Sequence, residues 1–210
     1  MDAQERVRDI VMASVAALNE GGLPELTLRK IAKRMGGSIT LITHYFTDRA
    51  ALLSAILDYA LADADAFVDE LASISQPDER LRAALEWFLP LTEEALALEK
   101  TRIALVAYRH AEPLLRLRSD ELEPAMRAVL RTGLVGFVPA ERLEATIDVA
   151  RSWVSGMALS AVEHPEMWTS ERQLSTLDEF VTLLAWRKDV AVAVGAPAGP
   201  HTSAPARARA

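Results

Sequence analysis

The chain has 210 residues, room for one large domain or two small ones, and half of them are apolar, so a sizeable core can be buried. It contains no cysteine, which excludes a disulfide framework, thiol catalysis and any thiolate metal site. The 30 acidic residues outnumber the 23 basic ones, yet the first fifty residues hold seven basic and six acidic side chains, so the negative excess belongs to the remainder. A sign asymmetry of this kind suggests two jobs in one chain.

The opening "MDAQERVRDI" is charged and has no apolar run behind it, unlike a secretory signal peptide. Asp58, Arg109 and Asp148 interrupt the more apolar stretches before any could span a bilayer. A soluble cytoplasmic protein is expected. Strand signals are nearly absent, and apolar residues recur at helical spacing throughout, which predicts an all-α fold.

The first predicted helix runs from about Ala3 to Asn19, with Val7, Ile10, Val11, Val15 and Leu18 on one side and Gly21-Gly22 as its stop. Thr27 is a good N-cap for a second, Leu28 to Met35, whose inner face is Leu28, Ile31, Ala32 and Met35. Gly36-Gly37 ends it, Ser38 can cap a third up to about His44, and Asp48 can cap a fourth with Leu52, Leu53, Ile56, Leu57, Ala60 and Phe67 at its apolar positions. Longer helices are predicted over about 78–98, 101–110, 120–134, 140–163 and 171–193, and the Pro/Ala/Gly-rich tail 195–210 is expected to be disordered. The helices 140–163 and 171–193 carry apolar residues on more than one face, more than a monomer's surface helix needs.

The stretch "TLRKIAKRMGGSITLITHYF", Thr27 to Phe46, holds four basic side chains and no acidic one. Two short capped helices separated by a glycine turn outline a helix-turn-helix. Packing Leu28, Ile31 and Met35 inward leaves Arg29, Lys30, Lys33 and Arg34 outside, on a face with no compensating carboxylate. The second helix of such a unit lies in the DNA major groove. Ser38, Thr40, Thr43, His44 and Tyr45 offer hydroxyls and an imidazole to phosphates or bases. Arg49 falls in the first turn of the fourth helix, where free N–H groups already favour a phosphate. The competing reading is a solvated basic helix face with no partner.

The segment "LTLRKIAKRMGGSITLITHYFTDRAALL" resembles the N-terminal DNA-binding segment of the tetracycline-repressor (TetR) family of bacterial regulators, a likeness covering roughly residues 7–57. It is carried by the Thr27 cap, the Ile31-Ala32 pair, the Gly36-Gly37-Ser38 turn, His44-Tyr45-Phe46, Asp48-Arg49 and the Leu52-Leu53 pair. Thr43 stands where the family usually has a tyrosine that reaches a phosphate, and Gly37 where a small apolar residue is usual. Ile39 and Leu41 occupy positions commonly polar or small; Ile39 could touch a thymine methyl and Leu41 could be core. The resemblance implies a helix-turn-helix domain over 1–50 with Thr27, Arg29, Lys33, Ser38, Ile39, Thr40, Thr43, His44, Tyr45 and Arg49 toward double-stranded DNA. It also implies a helical domain over 51–194 that dimerises and encloses a pocket for a small-molecule effector.

The stretches "ALEWFLPLTEEALALEKTRIALVAYRHAEPLL" and "VSGMALSAVEHPEMWTSERQL" are similar to the choline-responsive (BetI-like) subgroup. Trp87, Phe88, Tyr108, Trp153, Met157 and Trp168 are candidates for pocket lining, against plain core packing. His110 with Glu112 could form a metal or proton site or simply lie on the surface, and His164 suits a helix C-terminus. No catalytic residue, cofactor or resident metal is nominated: Gly-rich phosphate loops, a G-x-S-x-G elbow and a His-Glu-x-x-His pair are all missing. The expected function is a ligand-responsive regulator, most simply a repressor that binds a palindromic operator as a homodimer and is released by a small molecule. The alternative is a small-molecule-binding helical protein or enzyme with no DNA role.

Overall fold

The computed structural model describes residues 3–110 and 113–194, the side chains of Ser119 and of 186–194 excepted. The tail 195–210 and Glu112 lie outside the described residues. The described chain is helical: α1 (Ala3–Gly21), a 3-10 turn (Leu23–Glu25), α2 (Leu28–Arg34), α3 (Ile39–Thr43), α4 (Arg49–Ser73), α5 (Pro77–Glu86), α6 (Glu93–Tyr108), α7 (Pro113–Leu134), a second 3-10 turn (Ala140–Arg142), α8 (Leu143–Glu163) and α9 (Ser170–Val194). An isolated bridge between Val135 and Val138 is its nearest approach to a strand.

The predicted helices differ from the observed ones most in the middle of the chain. The span 78–98 is broken: α5 ends at Glu86, and α6 runs uninterrupted through positions 99 and 100, where a boundary was expected. Pro90 has no N–H to continue the ladder, and Thr92 restarts it by accepting the Ala95 N–H at 3.1 Å. Glu93 and Glu94 then sit in the first turn, where the helix dipole favours acid. The helix expected over 120–134 begins seven residues earlier, at Pro113, and tolerates Pro124 inside it. Burial of Val129, Leu130 and Leu134 outweighs the hydrogen bond that Pro124 forfeits.

Two apolar clusters organise the molecule. The first gathers Ile10, Val15 and Leu18 of α1, Ile31 of α2 and Ile42 of α3. It continues over Leu52, Leu53, Ile56 and Leu57 of α4 and on to Leu105 and Leu115, so buried packing runs past residue 50 into the larger helical body. The second joins α5, α7, α8 and α9 through Leu85, Leu130, Leu134, Ile147, Val154 and Leu177. The α5–α7 crossing depends on Gly133, where an added Cβ would lie 2.4 Å from the Ala84 Cβ. Arg80 closes the same corner. Its guanidinium donates to the carbonyls of Thr132 (3.0 Å), Ile74 (2.9 Å) and Val135, satisfying acceptors at the C-terminal ends of α4 and α7.

Candidate nucleic-acid interface and interior cavity

Thr27 is extended, and its Oγ1 accepts the Lys30 N–H at 3.3 Å, so α2 starts where its cap dictates. Ile31 and Ala32 are buried, while Arg29, Lys30, Lys33 and Arg34 are exposed on the opposite side. That face is not free of carboxylates, contrary to the expectation from sequence. Lys30 Nζ is 2.6 Å from a Glu25 oxygen, and Arg34 pairs with Glu20. The chain folds back after Gly22, at φ 70°, and so brings the end of α1 and the 3-10 turn alongside α2. Arg29 and Lys33 form no ion pair with any described residue.

The turn after α2 is a Schellman motif: Gly37 N–H donates to the Ala32 carbonyl and Gly36 N–H to the Lys33 carbonyl, with Gly36 at φ 66°. Only glycine adopts that conformation without penalty. Ser38 enters α3 in extended geometry but makes no side-chain cap, another departure from expectation; its carbonyl accepts the Leu41 N–H at 3.1 Å and its hydroxyl stays exposed. Ile42 is fully buried and Leu41 half-buried, which turns Ile39, Thr40, Thr43 and His44 outward. Ile39 is 45% exposed, far more than a core residue. Thr43 Oγ1 donates to the Thr40 carbonyl at 3.3 Å. Tyr45 is half-buried against the head cluster, its ring edge-on to His44 at 4.9 Å. Asp48 Oδ1 accepts the Ala51 N–H at 2.8 Å, and Arg49, exposed, is the first residue of α4.

The ten residues expected at the interface thus lie on α2, the turn, α3 and the start of α4. Nine of them are exposed and Tyr45 is half-buried; Thr27 is occupied as a cap, Thr43 donates to the Thr40 carbonyl, and His44 meets Tyr45 edge-on. The arrangement offers two cations without internal partners, a row of hydroxyls and a helix N-terminus, the groups that bind phosphate oxygens.

A cavity of about 540 Å³ lies between α4, α6 and α7, lined in part by Tyr59, Asp63, Trp87, Thr101, Leu105 and Met126. Three guanidinium groups reach its wall, and each already has a carboxylate: Arg102 with Glu99, Arg109 with Asp120, and Arg151 with Glu123 at 3.1 Å. Burial pulls the Arg102 guanidinium's pKa down, but the hydrogen bonds and charge of Glu99, helped by Glu123, more than offset it and hold Arg102 firmly cationic.

Of the six side chains proposed for the pocket, Trp87 lines this cavity and stacks on Phe67 with centroids 5.4 Å apart. Phe88 packs edge-on against Trp87, and Tyr108 against the head cluster. Trp153 stacks flat on Phe180 at 4.3 Å, and Met157 is buried in the same cluster. Trp168 lies under the Arg172 guanidinium, 4.5 Å from its centroid. These five are absent from the cavity wall: Trp153, Met157, Phe88 and Trp168 pack in or against the α5–α7–α8–α9 cluster, and Tyr108 packs against the head cluster. The signal missed in the sequence is the stripe Leu98, Thr101, Leu105 along one side of α6. His110 is exposed at the end of α6, and no cluster of three or more His, Asp or Glu suited to a metal occurs among the described residues. His164 caps α8, its N–H donating to the Ser160 carbonyl at 3.0 Å.

Comparison with known proteins agrees with this geometry. Residues 10–56 match the family described as bacterial regulatory proteins, tetR family. A transcriptional regulator BetI of Yersinia pestis (strain Pestoides F) is 36% identical over 117 residues, which take in 54% of this chain and 59% of that relative. The match therefore spans less than two thirds of the relative's length. A transcriptional regulator from Rhodococcus sp. Rha1 superposes with a TM-score of 0.74 at 23% identity, covering 87% of this chain and 97% of its own. A regulator from Saccharomonospora viridis, solved in complex with choline, superposes with a TM-score of 0.71 at 18% identity over 85% of this chain and 96% of its own. The proteins matched are transcriptional regulators and not enzymes. The all-α fold, the capped helix-turn-helix and these likenesses agree: residues 10–56 match the TetR family of bacterial regulators, and the chain is similar to BetI regulators.

Proposed function

We propose that this chain is a cytoplasmic, ligand-responsive repressor that binds a palindromic operator as a homodimer. The observation that carries the reading is the outward row on α2 and α3, where Arg29, Lys33, Thr40, Thr43 and His44 are exposed, Arg29 and Lys33 without an ion pair among the described residues, while Ile31 and Ile42 are sealed beneath. One short helix reads only a few base pairs, so a two-fold pair of heads is needed for a site of useful length. Val149, Gly156 and Leu159 on α8, and Leu183 on α9, are exposed and supply an apolar face for such pairing. The cavity beside α4 is the effector site in this reading, and α4 is one continuous helix from Arg49 at the head to Asp63 in the cavity wall. An effector releases DNA only if it binds better to a state in which the heads are misspaced.

The test is fluorescence anisotropy on operator DNA recovered by genomic pull-down, repeated across salt concentrations. Each phosphate neutralised contributes about −0.9 to the log–log slope. A slope near zero, or equal affinity for unrelated sequences, sinks the reading.

A further inference from the structure

The cavity and the head meet at a second place besides α4. Near the end of α1, the Asn19 side chain forks onto α6: Nδ2 donates to the Ala97 carbonyl at 2.8 Å, and Oδ1 accepts from Thr101 Oγ1 at 3.0 Å. Thr101 is 2% exposed, and it lines the cavity. Its single hydroxyl proton has two acceptors within reach, Asn19 Oδ1 and its own helix's Ala97 carbonyl at 3.1 Å. Two helical turns further along α6, the Tyr108 hydroxyl abuts the Gly22 turn, where an added Cβ would come within 3.2 Å of it. Positions 101 and 108 lie on one side of α6, with Leu105 between them in the head's own apolar cluster. Gripping the head at two points seven residues apart ties both the position and the rotation of α6 to the turn that leads into α2.

We infer that the Asn19–Thr101 clip is a positioning contact that holds the head in its DNA-binding arrangement and reports occupancy of the cavity to it. The inference rests on the reading of the head as a DNA binder and of the cavity as an effector site. An occupant that offers an acceptor to the Thr101 hydroxyl, or that rotates the Leu98–Thr101–Leu105 side of α6, takes the proton from Asn19 Oδ1. The amide fork then exchanges its protein partner for water, and the head loses a hydrogen-bonded tie to α6. The path differs from the one along α4 because it acts on the turn preceding α2 and does not require α4 to bend.

The experiment needs no effector. Operator affinity and its salt slope are measured for the full-length wild type and for Thr101→Val, Thr101→Ser and Asn19→Ala. Valine keeps the shape of threonine and removes the hydroxyl, whereas serine keeps the hydroxyl. Asn19 is exposed, so its truncation does not threaten the core. Losing the Asn19–Thr101 hydrogen bond should weaken operator binding about fivefold in Thr101→Val, and at least as much in Asn19→Ala, which also loses the bond to the Ala97 carbonyl. The salt slope should not change, because the phosphate contacts are untouched, and Thr101→Ser should restore wild-type affinity. The double variant Asn19→Ala/Thr101→Val should be no weaker than Asn19→Ala alone. Wild-type affinity in both single variants overturns the clip, as does a Thr101→Ser protein as weak as Thr101→Val. Failure of the wild type itself to bind a specific DNA would instead remove the regulator reading, and the clip's function with it.

Discussion

The head and the helical body handle their charges in opposite ways. On α2 and α3 the fold pairs Lys30 and Arg34 with nearby acids but leaves Arg29 and Lys33 with no acid among the described residues. In the body, every guanidinium that reaches the cavity is matched to a carboxylate of the same chain. The first arrangement leaves positive charge for an external polyanion. The second pairs each of the cavity's three guanidinium groups internally and leaves Asp63 as the wall's carboxylate without an ion pair among the described residues. An overall excess of acid therefore does not oppose DNA binding; the compensation is local, and the head is where it is incomplete.

The comparison can be broken first at the cores. Ile42 is fully buried under α3, and Ile42→Ala should cost about 2–5 kcal/mol of stability. Because the head cluster includes Leu105 and Leu115, thermal unfolding followed by circular dichroism should show one transition moved down as a whole. A separate early transition would show that head and body fold independently. In the body, Gly133→Ala would push a methyl against the Ala84 Cβ and should cost about 1–3 kcal/mol, lowering that same transition. If instead it is neutral, the α5–α7 crossing is not as tight as the 2.4 Å approach requires.

The charge contrast is sharpened by Arg29→Ala combined with Lys33→Ala. Operator binding should weaken for all sequences alike and the salt slope should flatten by about two, with the melting transition unmoved, since neither side chain has an internal ion partner. Arg34→Ala should flatten the slope less, because its charge is already shared with Glu20.

The smallest effect lies on the body's surface, where Arg131 and Arg127 bracket Glu144. The hydrogen bond from Arg131 is the main cause holding the Glu144 carboxyl below its usual pKa of 4.5, with Arg127 assisting. A carboxylate lowered on folding adds stability above its unfolded pKa and loses it as pH falls through the folded one. Glu144→Gln should therefore flatten the acid limb of the stability–pH curve slightly and leave neutral pH nearly unchanged. The group is fully exposed, so a large change at neutral pH would contradict this account.

Much of the head was legible in the sequence because its determinants act over three or four residues. Thr27 and Asp48 cap the helices that follow them, Gly36 takes the left-handed turn, and the inward positions of α2 follow from spacing. Ser38 marks the limit of that reasoning, since the residue suits a cap but its hydroxyl points to solvent. The body was harder to read. One of six proposed pocket side chains is in the cavity wall, because a large aromatic is equally at home in the α8–α9 core. The small, buried Thr101, which touches both cavity and head, carries no mark of its own in the sequence.

Periodicity, caps and turn glycines determined the helical class, the head's layout and which of its side chains face out, since each depends on contacts within a turn or two of the chain. Only the tertiary structure decided that Glu20 and Glu25 neutralise half of the basic face, that the break in the middle falls at Pro90, and that Asn19 clasps α6. Those outcomes depend on where segments tens of residues apart come to rest against one another, and burial in a shared core, not local spacing, sets that.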